Sequence, residues 1–156
     1  MLEPPRPRRW LARVRVGSVF GLLALLVVCA RPTPLSVTLG FAVCMTGEFI
    51  RIWAAGHLHK TVELVTSGPY RFTRNPLYLG RLLIFSGICV MSELPNRLHL
   101  VLLALGWVVF FAYYLPRKER VERGRLRQLH GARFERYEQA VPALFPSPRP
   151  HLDRAS

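Results

Sequence analysis

Acidic residues are scarce in this chain. Its 156 residues include 9 Asp and Glu against 22 Lys and Arg, which gives a net charge of +13. Such an excess is typical of proteins that bind nucleic acid and of membrane proteins whose basic residues lie outside their spans. Because 51% of the residues are apolar and the basic residues flank apolar runs, the sequence favours a membrane protein over one that binds nucleic acid.

Cysteine is also rare, and its placement argues against two kinds of site. Cys29, Cys44 and Cys89 lie in apolar runs, are odd in number and have no ligand spacing, so neither a disulfide framework nor a zinc site is predicted. We expect them to be buried as small hydrophobic residues. The sequence shows no nucleophile–base pair or phosphate-binding glycine loop, and His57 and His59 would not share a helix face as a metal pair.

Four apolar runs are present, at residues 16–30, 35–55, 77–91 and 98–115. They predict an all-α polytopic membrane protein with about four transmembrane helices. The first run is shorter than the roughly 20 residues that a bilayer requires, and it follows a basic segment, so both a cleaved signal peptide and a retained span are open. We favour retention, because cleavage would place the basic loop and tail on the outer face.

The second run carries two features of its own. Gly40 and Gly47 share one helical face, which is typical of a close helix contact. Glu48 and Arg51 are spaced i, i+3, so their charges can meet. Either they form a functional pair within the membrane or they lie at the interface, where Trp53 marks an aromatic belt, and both interpretations are open.

Basic residues indicate the orientation. They are concentrated in the N-terminal segment, in the loop at 56–75 and in the tail, whereas the two short turns hold one each, Arg31 and Arg97. The positive-inside rule then places both termini and this loop in the cytoplasm, at the inner membrane if the source is bacterial. Residues 1–146 are expected to form one domain.

The tail has a helical pattern over residues 117–141 and ends in a segment, 147–156, that we expect to be disordered. Pro116 is predicted to stop or kink the fourth span, because proline lacks the backbone donor that a helix needs. Gly124 and Gly131 are predicted to weaken or divide the tail helix.

The polar loop between the second and third runs is the most distinctive stretch. Gly68-Pro69 and Asn75-Pro76 are turn signals, and Tyr70 and Tyr78 follow the two prolines closely.

This loop, LVTSGPY followed by RNPLYLG, resembles the signature of isoprenylcysteine carboxyl methyltransferases and, more loosely, of phospholipid N-methyltransferases. The resemblance spans about residues 48–146, because tail residues also fall in the family's order: Glu122, Leu126, Gly131, Phe134, Tyr137, Val141, Pro142 and Pro146. Three positions depart from the family pattern: Asn75, where the family usually has histidine, Arg123, where many members have a second glutamate, and His130, where an aromatic residue before the glycine is common.

The resemblance implies a membrane enzyme that uses S-adenosylmethionine to methylate a membrane-embedded or lipidated acceptor, such as an isoprenylcysteine carboxylate or a phospholipid. Carried over by position, the cofactor-binding residues would be Leu64, Val65, Tyr70, Asn75, Pro76, Leu77, Tyr78 and Glu122. The residues facing the acceptor would be Lys118, Arg117 and Arg120. An amine acceptor would need a base, and Glu122 and Glu119 are the candidates in the tail. No metal is implied.

Two other interpretations are open. The first is a non-enzymatic four-span protein whose basic tail binds anionic lipid or a partner, which explains the charge and the spans but not the paired motifs. The second is a family member that binds the cofactor without turnover, because Asn75 cannot carry a proton near neutral pH and the second glutamate is missing.

Overall fold

The computed structural model describes residues 27–57 and 64–147, together with residues 14, 16, 17, 20, 21 and 24 of the first apolar run. In this part of the chain the regular elements are all helical, which agrees with the predicted all-α class. The helices are α1 (Pro34–His57), α2 (Pro76–Ser92), α3 (Leu98–Val109) and α4 (Leu115–Ala140). Most of the basic N-terminus, His59, and all but the first residue of the predicted disordered tail lie outside the described residues.

Among the described residues, two helical stretches are long and apolar enough to cross a membrane, Pro34–His57 and the continuous stretch Pro95–Ala140. They contain the predicted spans 35–55 and 98–115. The third predicted span corresponds to the shorter apolar helix Pro76–Ser92, and the described residues of the first run are helical up to Cys29. A count of four spans stays a prediction.

α1 and α2 pack closely through glycine. A Cβ atom on Gly47 would lie 2.7 Å from the carbonyl oxygen of Gly80, and one on Gly87 would lie 2.5 Å from that of Gly40. The predicted close contact at Gly40 and Gly47 is therefore confirmed, and small residues let the two backbones touch. Cys44 is buried in the same contact and Cys89 is also buried, as expected, whereas Cys29 is exposed, so the expectation is wrong for Cys29.

The two ends of this helix pair are tied together by short turns. Arg31 N donates to the carbonyl of Ser92 at 3.1 Å, and the Thr33 hydroxyl donates to Glu93 Oε2 at 2.8 Å. These bonds hold the start of α1 beside the end of α2, so the helices run antiparallel. At the other end, the ring of His57 covers Gly68, whose φ of +58° suits glycine.

The structure differs from the sequence prediction at Pro116. The helix continues through this residue instead of stopping, and a π-helical turn at Phe110–Tyr114 joins α3 to α4. In this turn Leu115 N donates to the carbonyl of Phe110, five residues back, just before the position where proline has no donor. Gly124 leaves α4 intact, whereas Gly131, with φ +48° and ψ −127°, divides it.

Candidate active site

The polar loop and the end of the tail lie against each other. The Tyr137 hydroxyl donates to the carbonyl of Tyr70 at 2.8 Å, and both residues are buried. Arg74 N donates to the carbonyl of Pro142 at 3.0 Å, and Ser147 N donates to that of Phe72 at 2.9 Å. The chain after α4 therefore returns along the loop and fixes its backbone.

Asn75 holds this returning segment in place. Its Nδ2 donates to the carbonyl of Ala143 at 2.8 Å and lies 3.4 Å from Glu119 Oε1. Beside it, the buried hydroxyl of Thr73 donates to the carbonyl of Leu144 at 2.8 Å. Asn75 also lies directly before α2, and its own carbonyl accepts a hydrogen bond from the amide of Leu79 in the first turn of that helix. The neutral side-chain amide of Asn75 thus serves as hydrogen-bond donor at a position where the families that this chain resembles usually have histidine.

A second group of side chains gathers where α2 meets the start of α4. The ring of Tyr78 stands edge-on to that of Tyr114, with 5.6 Å between centroids. Lys118 Nζ lies 6.0 Å from the Tyr78 centroid and 2.8 Å from Glu122 Oε1. The side chains of Lys118 and Glu122 are 41% and 40% exposed, so a ligand can reach both charges.

Electrostatics link this group to the loop. Burial raises the pKa of Tyr70, and the negative charge of Glu122 raises it further, with a smaller effect from Tyr78. The pKa of Lys118, which follows the apolar span, is raised first by its hydrogen bond to Glu122 and then by its contact with Tyr78. Tyr70, Tyr78, Lys118 and Glu122, from the two separated motifs, therefore lie close enough to affect one another.

An ion-pair network joins the loop to both halves of α4. Arg74 contacts Glu138 at 2.8 Å and Glu119 at 3.4 Å. Arg123 contacts Glu119 at 3.1 Å and Glu138 at 2.7 Å. The contact with Glu138 is made by the Nε atom of Arg123 and lacks hydrogen-bond geometry. Arg127 contacts Glu138 at 3.1 Å. We name these five residues the ionic network.

The network determines the protonation of its central carboxylate. Burial raises the pKa of Glu138, but the hydrogen bond from Arg74 and the charges of Arg123 and Arg74 lower it by more. The net result is a pKa below the ordinary value, so Glu138 is ionised at neutral pH.

The remaining predicted residues are distributed around these groups. Leu64 packs in a buried cluster with Phe134, Tyr137 and Val141 from the end of the chain, and Val65 beside it is half-buried. Pro76 is buried and Leu77 half-buried at the start of α2.

The structure brings Lys118 to Glu122 and Tyr78 but does not bring Arg117 and Arg120 there. Arg117 lies over the ring of Tyr113, 5.8 Å from its centroid, and Arg120 lines a cleft on another face of α4.

Most of the ionic network was not predicted from the sequence, where neither Arg74 nor Glu138 was given a role. The scarcity of acid was a usable signal, because Glu119 and Glu138 are two of only 9 acidic residues in a strongly basic chain. A carboxylate surrounded by arginines has a high chance of pairing with several of them.

The sequence profile of the phospholipid methyltransferase family matches residues 35–121, more than half of the chain. The chain belongs to the phospholipid methyltransferase family. This confirms the family resemblance; the matched residues include the loop and end just before Glu122, so the tail's part in the resemblance stays a prediction. Family membership, together with the two apolar helical stretches, indicates an integral membrane protein of the methyltransferase class.

Two relatives of this family member are named as metal resistance proteins. The chain is 30% identical over 116 residues to a cobalt-zinc-cadmium resistance protein CzcN of Cupriavidus metallidurans, covering 73% of the chain and 50% of the relative. It is 33% identical over 98 residues to a nickel-cobalt-cadmium resistance protein NccN of Alcaligenes xylosoxydans xylosoxydans, covering 62% of the chain and 43% of the relative. The chain thus spans half or less of the length of these relatives. Among the described residues of the chain, no group of three or more His, Cys, Asp or Glu is placed to hold a metal ion.

Proposed function

We propose that this protein transfers a methyl group from S-adenosylmethionine to an acceptor that is embedded in, or anchored to, the membrane. The observation that carries the proposal is the contact of Tyr78 with the Lys118–Glu122 pair, beside the loop whose Tyr70 is fixed to the end of the tail by Tyr137. These residues come from two separated motifs, and they gather next to a helical stretch that is apolar enough to cross a membrane.

The donor set fits the proposed cofactor. S-adenosylmethionine has an ammonium group, a carboxylate, ribose hydroxyls and an aromatic base. The accessible carboxylate of Glu122 can accept from the ammonium or the hydroxyls, and the half-buried ring of Tyr78 offers apolar surface to the base. When bound, the cofactor supplies a methyl group on a positively charged sulfur, so the acceptor needs only a nucleophilic atom in line with that bond.

The protein's own residues then have to bind, orient and exclude water. Lys118 offers a positive charge that can position an anionic acceptor, and a carboxylate acceptor arrives deprotonated and needs no base. An amine acceptor must lose a proton, and Glu122 is then the candidate base. The returning segment after α4 covers the loop through Asn75 and Thr73, which limits access of bulk water from that side.

Replacing Glu122 with glutamine is expected to weaken binding of S-adenosylmethionine about tenfold, because a charge-assisted hydrogen bond is worth about 1.5–3 kcal/mol. Isothermal titration calorimetry of the protein in detergent measures this directly. Glu135→Gln is the matched control, since Glu135 is an exposed glutamate on the same helix. Equal affinity of wild type and Glu122→Gln would remove Glu122 from the cofactor site.

Turnover is tested by incubating wild type with isotope-labelled donor and a membrane extract, then identifying the labelled lipid or peptide.

The proposed site faces the cytoplasm, and one residue tests this orientation. Ser67 is exposed in the loop, so a Ser67→Cys variant should react with a membrane-impermeant maleimide only from the cytoplasmic side. Because Cys29 is exposed, the labelling is performed in a Cys29→Ser background, while Cys44 and Cys89 are buried. Labelling of the introduced thiol from outside intact cells would reverse the orientation and contradict the proposal.

A further inference from the structure

An open cleft of about 430 Å³ runs along α4. Its lining residues are Pro116, Glu119, Arg120, Arg123, Gly124 and Arg127. Their spacing of three, four and seven residues places them on one face of the helix. At 100° per residue this face lies roughly half a turn from Lys118, so the cleft opens on a different side of α4 from the Lys118–Glu122 pair, although Glu119 in its wall also contacts Asn75.

The cleft has an excess of positive charge. Arg120, Arg123 and Arg127 lie along it, and the carboxylate of Glu119 is the acidic group in its wall. Arg123 and Arg127 also contact Glu138, yet their side chains remain 42% and 57% exposed. Within the described ranges Arg120 makes no ion pair, so its full charge is available to a ligand.

The position of the cleft suits a ligand at the membrane surface. It begins at Pro116, directly after the aromatic residues Tyr113 and Tyr114, and the preceding helix α3 exposes apolar side chains such as Val101 and Val108. Aromatic residues mark the level of the lipid headgroups. Beside Gly124 the space is open, because a Cβ there would meet nothing within 4 Å.

We propose that this cleft binds the phosphate group of an anionic membrane lipid. Guanidinium groups bind phosphate oxygens through paired hydrogen bonds, and three of them along one helix face can surround a single headgroup. The lipid chains would extend from the cleft along the exposed apolar face of α3. The bound headgroup adds negative charge beside Arg123 and Arg127 and so stabilises the helix that carries Lys118 and Glu122.

The test uses the full chain in neutral detergent and dioleoylphosphatidylglycerol as probe, with binding followed by native mass spectrometry and calorimetry. Arg120→Gln removes one cleft charge, and Gly124→Leu fills the cleft without changing charge. Arg125→Gln is the matched control, since it removes the same charge from an exposed position outside the cleft. We expect both cleft variants to bind the lipid about tenfold more weakly and the control to stay within about twofold of wild type.

Four further outcomes of this experiment support or overturn the proposal. Equal weakening by Arg125→Gln and Arg120→Gln would show attraction to the general charge of the tail and would overturn the proposal. Wild-type binding by Gly124→Leu would also overturn it, because the cleft would then not be the site. Inorganic phosphate is the soluble probe, and uncharged dioleoylglycerol controls for the chains. If the cleft binds phosphate but not phosphatidylglycerol, its ligand is a free anion and the lipid proposal is overturned. If phosphate displaces the lipid only at high concentration, the result supports a lipid headgroup as the ligand of the cleft.

Discussion

Gly87→Ala is expected to destabilise the protein by about 1–3 kcal/mol, the usual cost of adding a methyl group to a tightly packed contact. The new Cβ would lie 2.5 Å from both the carbonyl oxygen of Gly40 and the sulfur of Cys44. A backbone oxygen cannot rotate away, so α1 and α2 must separate. For a chain of this length the cost corresponds to a melting temperature in detergent that is lower by roughly 3–10 °C.

Gly56→Ala is the control for this prediction, because Gly56 also lies in α1 but a Cβ there would meet nothing within 4 Å. Alanine favours helix by about 1 kcal/mol over glycine, so Gly56→Ala should raise the melting temperature slightly or leave it unchanged. A melting temperature for Gly87→Ala equal to that of Gly56→Ala would contradict close packing of α1 on α2. The same loss of packing should reduce the yield of folded Gly87→Ala protein from membranes.

This helix contact shows which parts of the fold the sequence makes predictable. Two glycines seven residues apart in an apolar run specify both the helix and the face that touches its partner, since both follow from helical periodicity. The turn at Gly68-Pro69, where Gly68 has a positive φ, was equally predictable from a local Gly-Pro signal. Pro116 shows the limit of such reasoning. Its local preference for ending a helix is outweighed when the preceding turn widens and the flanking aromatic side chains pack together.

Some features of the candidate site were likewise predictable from the sequence and others were not. The pairing of the two motifs around Tyr70 and Glu122 was predictable because each motif could be matched to a family pattern. The hydrogen bonds from Asn75 and Thr73 to the carbonyls of Ala143 and Leu144 could not be, because a backbone carbonyl is present at every residue and leaves no sequence signal. The partners within the ionic network were hidden for a related reason. In an arginine-rich tail, only the three-dimensional path of the chain decides which guanidinium reaches Glu138.

Glu138→Gln should weaken the attachment of the tail to the loop by about 3 kcal/mol, within the range for removing one partner of a buried ion pair. Arg74 and Glu138 have only 11% and 14% of their side-chain surface exposed, so the loss leaves a largely buried guanidinium whose remaining partner among the described residues is Glu119. We expect a lower melting temperature and faster proteolysis after α4. Glu135→Gln, an exposed glutamate on the same helix, should match wild type in both measurements.

The same network predicts how the difference between wild type and Glu138→Gln depends on pH. The pKa of Glu138 is lowered in the folded protein from its ordinary value of 4.5. The carboxylate therefore contributes its full stabilisation above that value and loses it as the pH falls through the lowered folded pKa. The gap in melting temperature between wild type and Glu138→Gln should be constant from neutral pH down to about pH 5 and should close at more acidic pH. A gap that persists after Glu138 is protonated would mean that its shape, and not its charge, holds the tail on the loop.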